Sequence, residues 1–141
     1  MYTYRVKSVN RIIDGDTIDV TIDLGFGINI DQRIRVAGID SPEKRTRNLA
    51  EKTLGIDATN WMIKHLEDSS DLIIKTEVEG ALGKYGRVLG WLYIGNSEIS
   101  LNEKMVAEGF AWWYDGGSKD KDLNHLIDIR KAQGTYITKL L

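Results

Sequence analysis

No cysteine occurs among the 141 residues, and histidine occurs only at His65 and His125. Without thiols the chain can form no disulfide, no thiolate nucleophile and no Cys-ligated zinc site, and two histidines are too few for a His-rich one. Any metal here must be a hard cation held by oxygen. No apolar run approaches the roughly 18 residues that a membrane span needs, so no membrane partner is expected. The opening Met1-Tyr2-Thr3-Tyr4-Arg5-Val6-Lys7 alternates like a strand and lacks the apolar stretch of a secretory signal. A cytoplasmic protein is expected, with secretion open if a leader has been removed. Basic residues are not in excess either: 19 Lys and Arg stand against 21 Asp and Glu, which gives no broad attraction to nucleic acid.

What is present suits one domain over residues 1–141, large enough to close a single core. Its charge is unevenly spread. Arg33, Arg35, Lys44, Arg45 and Arg47 face only Asp40 and Glu43 between them, and Lys84 and Arg87 form a second small basic group. Solvated faces explain most such clusters, but a locally basic stretch on an acidic chain also suits a small site for an anionic ligand.

Strict alternation from Thr17 to Leu24, with Ile18, Val20, Ile22 and Leu24 apolar, predicts a half-buried strand. Gly25-Phe26-Gly27 supplies a turn into a second strand, about Ile28 to Ala37, with Ile34 and Val36 on one face and Arg33 and Arg35 on the other. Further strands are expected at about Tyr4 to Arg11, Leu72 to Val78 and Val88 to Ile94. Ile56, Trp61, Met62, Ile63 and Leu66 stripe a helix of about Ile56 to Glu67. Ser100-Leu101-Asn102-Glu103 is a capping-box signature for a second helix ending near Gly109, and a third runs from about Lys119 to Gln133. Five short strands and three helices predict an α+β fold, a five-stranded OB-type β-barrel with helices packed outside.

Three segments then stand out. Ile13-Asp14-Gly15-Asp16-Thr17 reads as an exposed Asp-Gly turn, or as a site in which Asp16, on the inward parity of Ile18 and Val20, needs a counter-charge at the barrel mouth. Asp40-Ser41-Pro42-Glu43 contains the one proline. It reads as a helix start, or as a rigid extended turn whose carboxylates and carbonyls could ligate calcium. Gly83-Lys84-Tyr85-Gly86-Arg87 reads as a glycine turn, or as a loop presenting Arg87 for bidentate phosphate contact with Lys84 as a point charge and Tyr85 as a stacking face. It is not a Walker A loop, because Tyr85 stands where Ser or Thr is required.

Taken in order, these segments resemble the staphylococcal nuclease (thermonuclease) family. Arg35-Val36-Ala37-Gly38-Ile39-Asp40-Ser41-Pro42-Glu43, Lys84-Tyr85-Gly86-Arg87 and Glu108-Gly109-Phe110-Ala111 carry the likeness together with Ile13 to Thr17 and a helix opening at Gly55-Ile56-Asp57-Ala58. The resemblance spans roughly residues 12 to 133. It implies a calcium-dependent phosphodiesterase, acting as a monomer on DNA and RNA with little sequence preference and single strands favoured, that leaves 3′-phosphate and 5′-hydroxyl ends. By the same resemblance Asp16 and Asp40 would bind Ca2+ with the Ser41 carbonyl, and Asp14 would stand behind them. Glu43 would orient or deprotonate water, Arg35 and Arg87 would grip the scissile phosphate, and Lys84, Tyr85 and Tyr114 would contact nucleic acid. Trp112 and Trp113 then suit the core, and His65 and His125 surface or packing roles. Two rivals remain: a non-catalytic OB-type module for single-stranded nucleic acid, and a calcium-stabilised interaction domain.

Overall fold

The computed structural model describes residues 2–67, 71–76, 88–117 and 121–136. Alternation of side chains builds five strands: β1 (Tyr2–Asp14), β2 (Thr17–Asp23), β3 (Asn29–Val36), then, beyond two residues of β4 (Ile39–Asp40), β5 (Leu72–Thr76) and β6 (Val88–Ile94). These close a barrel in the order β1-β2-β3-β6-β5, in which only the β3–β6 pairing is parallel. Closure leaves no free edge among the five strands. Ile18, Val20, Ile22, Ile34, Val36, Ile74 and Leu92 fill its interior, each at 4% exposure or less. Leu24 does not continue that row. It lies past the end of β2 and is exposed, as are Ile28 and Ile30 across the turn.

Two helices, α1 (Leu49–Glu67) and α2 (Leu101–Ala107), pack on the barrel, and α3 (Leu123–Ala132) is tied to α1 by the Arg130–Asp57 ion pair. Ala58, Trp61, Met62 and Leu66 of α1 join the core, as the apolar stripe requires. None of these helices is long and apolar enough to cross a membrane. The Ser100 hydroxyl caps α2 by accepting from the Glu103 N–H at 3.0 Å. Inside α2, fully buried Asn102 accepts from Leu92 N–H at 3.0 Å and donates to the Ala37 and Gly90 carbonyls at 2.8 and 3.2 Å. One amide thus fastens α2 to β6 and to the corner where β3 turns toward β4.

The expectation for α1 needs correction, since the helix begins at Leu49 rather than near Ile56. The Asn48 side chain accepts from the Glu51 N–H at 3.2 Å, so the start is an Asn cap that the sparse apolar content of its first turns concealed. Gly55 is therefore inside the helix. There it lets the chain after β4 cross α1 closely: a Cβ on Gly55 would lie 2.5 Å from the Glu43 carbonyl carbon and 2.6 Å from the Lys44 nitrogen. Backbone atoms cannot give way cheaply. Gly55→Ala should accordingly destabilise the protein by about 1–3 kcal/mol, against the roughly 1 kcal/mol that alanine would gain in an open helix. Urea unfolding checks this, and a variant as stable as the parent would refute the close crossing.

Candidate active site

β1 and β2 are joined by Gly15 and Asp16, and the pairing of Asp14 with Thr17 brackets them. Gly15 is required by space. A Cβ there would stand 2.9 Å from both Ala58 Cβ and Met105 Cε, and 3.1 Å from Ser41 Cβ. The turn is thus pressed against α1, α2 and the chain after β4, and its acid is carried inward. Asp16 is 9% exposed and Asp40 4%. Burying a carboxylate demands hydrogen bonds or an opposite charge, and both are supplied. Asp16 Oδ1 accepts from the Thr17 hydroxyl at 3.0 Å, and Oδ2 from the Ser41 N–H at 3.0 Å.

Arg35 connects the two acids. It lies opposite Thr17 on β3, with its side chain on the face away from Ile34 and Val36. Its NH2 stands 3.4 Å from Asp40 Oδ1 and 3.6 Å from Asp16 Oδ2, while NH1 donates to the Val36 carbonyl at 3.0 Å. Two carboxylates that approach one guanidinium nitrogen share one site. Asp16, Arg35, Asp40 and Ser41 are therefore brought together. Asp14 is half-buried at the end of β1, next to this turn.

Arg33, by contrast, is a surface residue. Its guanidinium grips Asp19 through two bonds of 2.8 and 3.1 Å, which hold the Asp19 carboxyl below the usual carboxylate range against a smaller opposing effect of burial.

Glu43 follows Pro42 with its side chain exposed, but its backbone is held. The Glu43 N–H donates to Glu51 Oε2 at 3.1 Å, and the same oxygen accepts from Lys121 Nζ at 3.2 Å. Burial draws the Lys121 pKa down, but the hydrogen bond it donates to Glu51 and the charges of Glu51, Glu43 and Asp40 outweigh it and leave the ammonium above the ordinary lysine value. Sequence reasoning missed both Glu51 and Lys121. The first carried a usable signal, Asn48 followed three residues later by an acid. The second carried none, because it meets Glu51 across 70 residues of sequence.

The aromatic run divides. β7 (Trp112–Trp113) pairs antiparallel with β4, and Tyr114 N–H donates to the Gly38 carbonyl at 2.7 Å, which sets the half-buried Tyr114 alongside the segment carrying Asp40. Trp112 is buried and donates to the Asp122 carbonyl at 3.1 Å, whereas Trp113 is 57% exposed and is not the core residue expected. Strand alternation over two residues makes one point in and the other out. His65 stacks on Trp61 at 3.8 Å, and His125 is exposed. Lys84, Tyr85 and Arg87 lie outside the described residues.

Residues 33–135 match the model of the family described as staphylococcal nuclease homologue. The chain is 34% identical to the thermonuclease of Staphylococcus intermedius over 104 residues, 73% of this chain and 56% of that protein. It is 33% identical to the micrococcal nuclease of Shigella flexneri over 124 residues, 81% of this chain and 61% of that protein. With protein ParB of Escherichia coli it shares 35% over 138 residues, 92% of this chain and 68% of that protein. The chain thus spans little more than half the length of the staphylococcal relative.

Proposed function

Because the chain belongs to the staphylococcal nuclease family, we propose that it is a calcium-dependent phosphodiesterase that hydrolyses DNA and RNA with little sequence preference, leaving 3′-phosphate and 5′-hydroxyl ends. It acts as a monomer and favours single strands. The observation that carries this reading is the convergence of Arg35 on Asp16 and Asp40, with Glu43 three residues further along the same Pro-containing turn.

The donors at this point are all hard oxygens, the kind calcium takes. Asp16 and Asp40 would hold the ion with the Ser41 carbonyl. Among the described residues no three His, Asp or Glu side chains converge as a metal site, so water would complete the shell. Bound there, calcium supplies positive charge where a phosphodiester gains negative charge during attack. Arg35 would bind a non-bridging phosphate oxygen, and by the family resemblance Arg87 would do the same, with Lys84 and Tyr85 near it in the sequence. Tyr114 offers a face for a base. Glu43 takes the proton of the attacking water as its oxygen bonds to phosphorus; the bond to the 5′ oxygen breaks, and that oxygen takes up a proton. Pre-placed positive charge is the main catalytic means for such a reaction.

The test is cleavage of a labelled single-stranded DNA in millimolar calcium and in EDTA, with the ends identified. Cleavage with calcium alone, leaving 3′-phosphates, is expected. Intact DNA that still binds the protein would instead favour the non-catalytic OB-type module.

A further inference from the structure

The residue proposed to activate water is exposed at its side chain, yet its backbone is held at two points, one of them fixed in turn by a third residue. Glu51, in the first turn of α1, accepts its N–H at 3.1 Å. Gly55 is one helical turn further on, so it lies on the same face as Glu51 and takes the Glu43 carbonyl against a position where no Cβ stands. Lys121 then fixes Glu51: its ammonium is 3.2 Å from the oxygen that accepts the Glu43 N–H, and the Glu51 side chain is only 12% exposed. Lys121 is fixed in turn. The next residue, Asp122, caps α3, and its carbonyl accepts from the buried Trp112 indole at 3.1 Å. A surface ion pair is ordinarily worth little, but this one is part of a network that ends on a functional turn.

We propose that the Glu51–Lys121 pair is a latch that positions Glu43 for the chemical step. Neither residue touches the reacting atoms. The inference rests on the reading of Glu43 as the water-activating group. One Glu51 carboxylate oxygen accepts from both donors and so ties the Glu43 turn to the segment before α3. Displacing a catalytic group by about 1 Å can cost about 10²-fold in rate.

The test measures kcat and KM under the calcium conditions above for Glu51→Leu, Glu51→Gln and Lys121→Met, each also combined with Glu43→Gln. Glu51→Leu should lower kcat by about 10- to 100-fold and leave KM within about twofold. Glu51→Gln keeps an oxygen able to accept the N–H and should recover most of that loss. In the Glu43→Gln background Glu51→Leu should lower the rate no further, because nothing remains to be positioned. A loss as large in that background as in the parent would overturn the latch, as would a rise in KM at unchanged kcat. If Glu51→Leu fails to fold by circular dichroism, Lys121→Met serves in the same cycle, with a smaller loss expected and additivity again overturning the proposal. An undiminished rate in Glu43→Gln alone is a different failure: it would remove the role of Glu43 on which the latch depends.

Discussion

Glu43→Gln should lower the rate of phosphodiester cleavage by about 10²- to 10⁴-fold, the usual contribution of a positioned general base, while nucleotide binding changes by no more than a few-fold. The substitution is nearly isosteric and replaces a carboxylate that can take a proton with an amide that cannot. Its side effects should be small for a structural reason. Glu43 is fastened through its N–H and its carbonyl region, not through its exposed side chain, so Glu51 and Gly55 hold a glutamine there equally well. A single-turnover assay beside a nucleotide-binding titration separates the two quantities. A parent-like rate would take Glu43 out of the reaction and leave Asp16, Arg35 and Asp40 as a binding site only.

The distribution of what the sequence revealed follows from the range of the interactions. Alternation is local, so the strands carrying Ile18, Val20, Ile22, Ile34 and Val36 were legible, and the capping pattern at Ser100 was legible for the same reason. Parity also put Asp16 on the inward set, and Asp16 is buried. What no pattern disclosed were contacts set by tertiary approach. Gly15 reads as turn glycine, yet its role is to let Ala58, Met105 and Ser41 close on the turn. Gly55 reads as a helix opening, yet it sits within α1 because Glu43 crosses there. The two-residue strands β4 and β7 are too short for alternation to signal, and they form because Ile39 and Asp40 find Trp113 and Trp112 as partners. Family resemblance named the side chains proposed here to carry the chemistry. It did not name Glu51 and Lys121, whose meeting depends on where α1 and the residues before α3 come to rest.

Arg35→Met should reduce cleavage by about 10²- to 10³-fold, the loss typical of removing one donor aimed at developing negative charge. It should also change how the protein responds to calcium, and that second effect locates the metal. The Arg35 side chain is 12% exposed and approaches both Asp16 and Asp40, so methionine withdraws a cation from two buried carboxylates. Breaking a buried pair in this way costs about 3–5 kcal/mol, with the lower end expected here because the contacts are 3.4 and 3.6 Å. If calcium occupies the same carboxylates, it binds the folded state alone and offsets part of that loss by mass action. The fall in Tm should therefore be large in EDTA and visibly smaller in millimolar calcium, whereas a metal bound elsewhere would stabilise parent and variant by equal amounts. Arg35→Lys sharpens the comparison. Lysine keeps the charge but not the planar fork, so it should regain stability in EDTA and little of the lost rate. A rate for Arg35→Met within about tenfold of the parent would remove Arg35 from phosphate contact, and equal calcium shifts in the two proteins would move the ion away from Asp16 and Asp40.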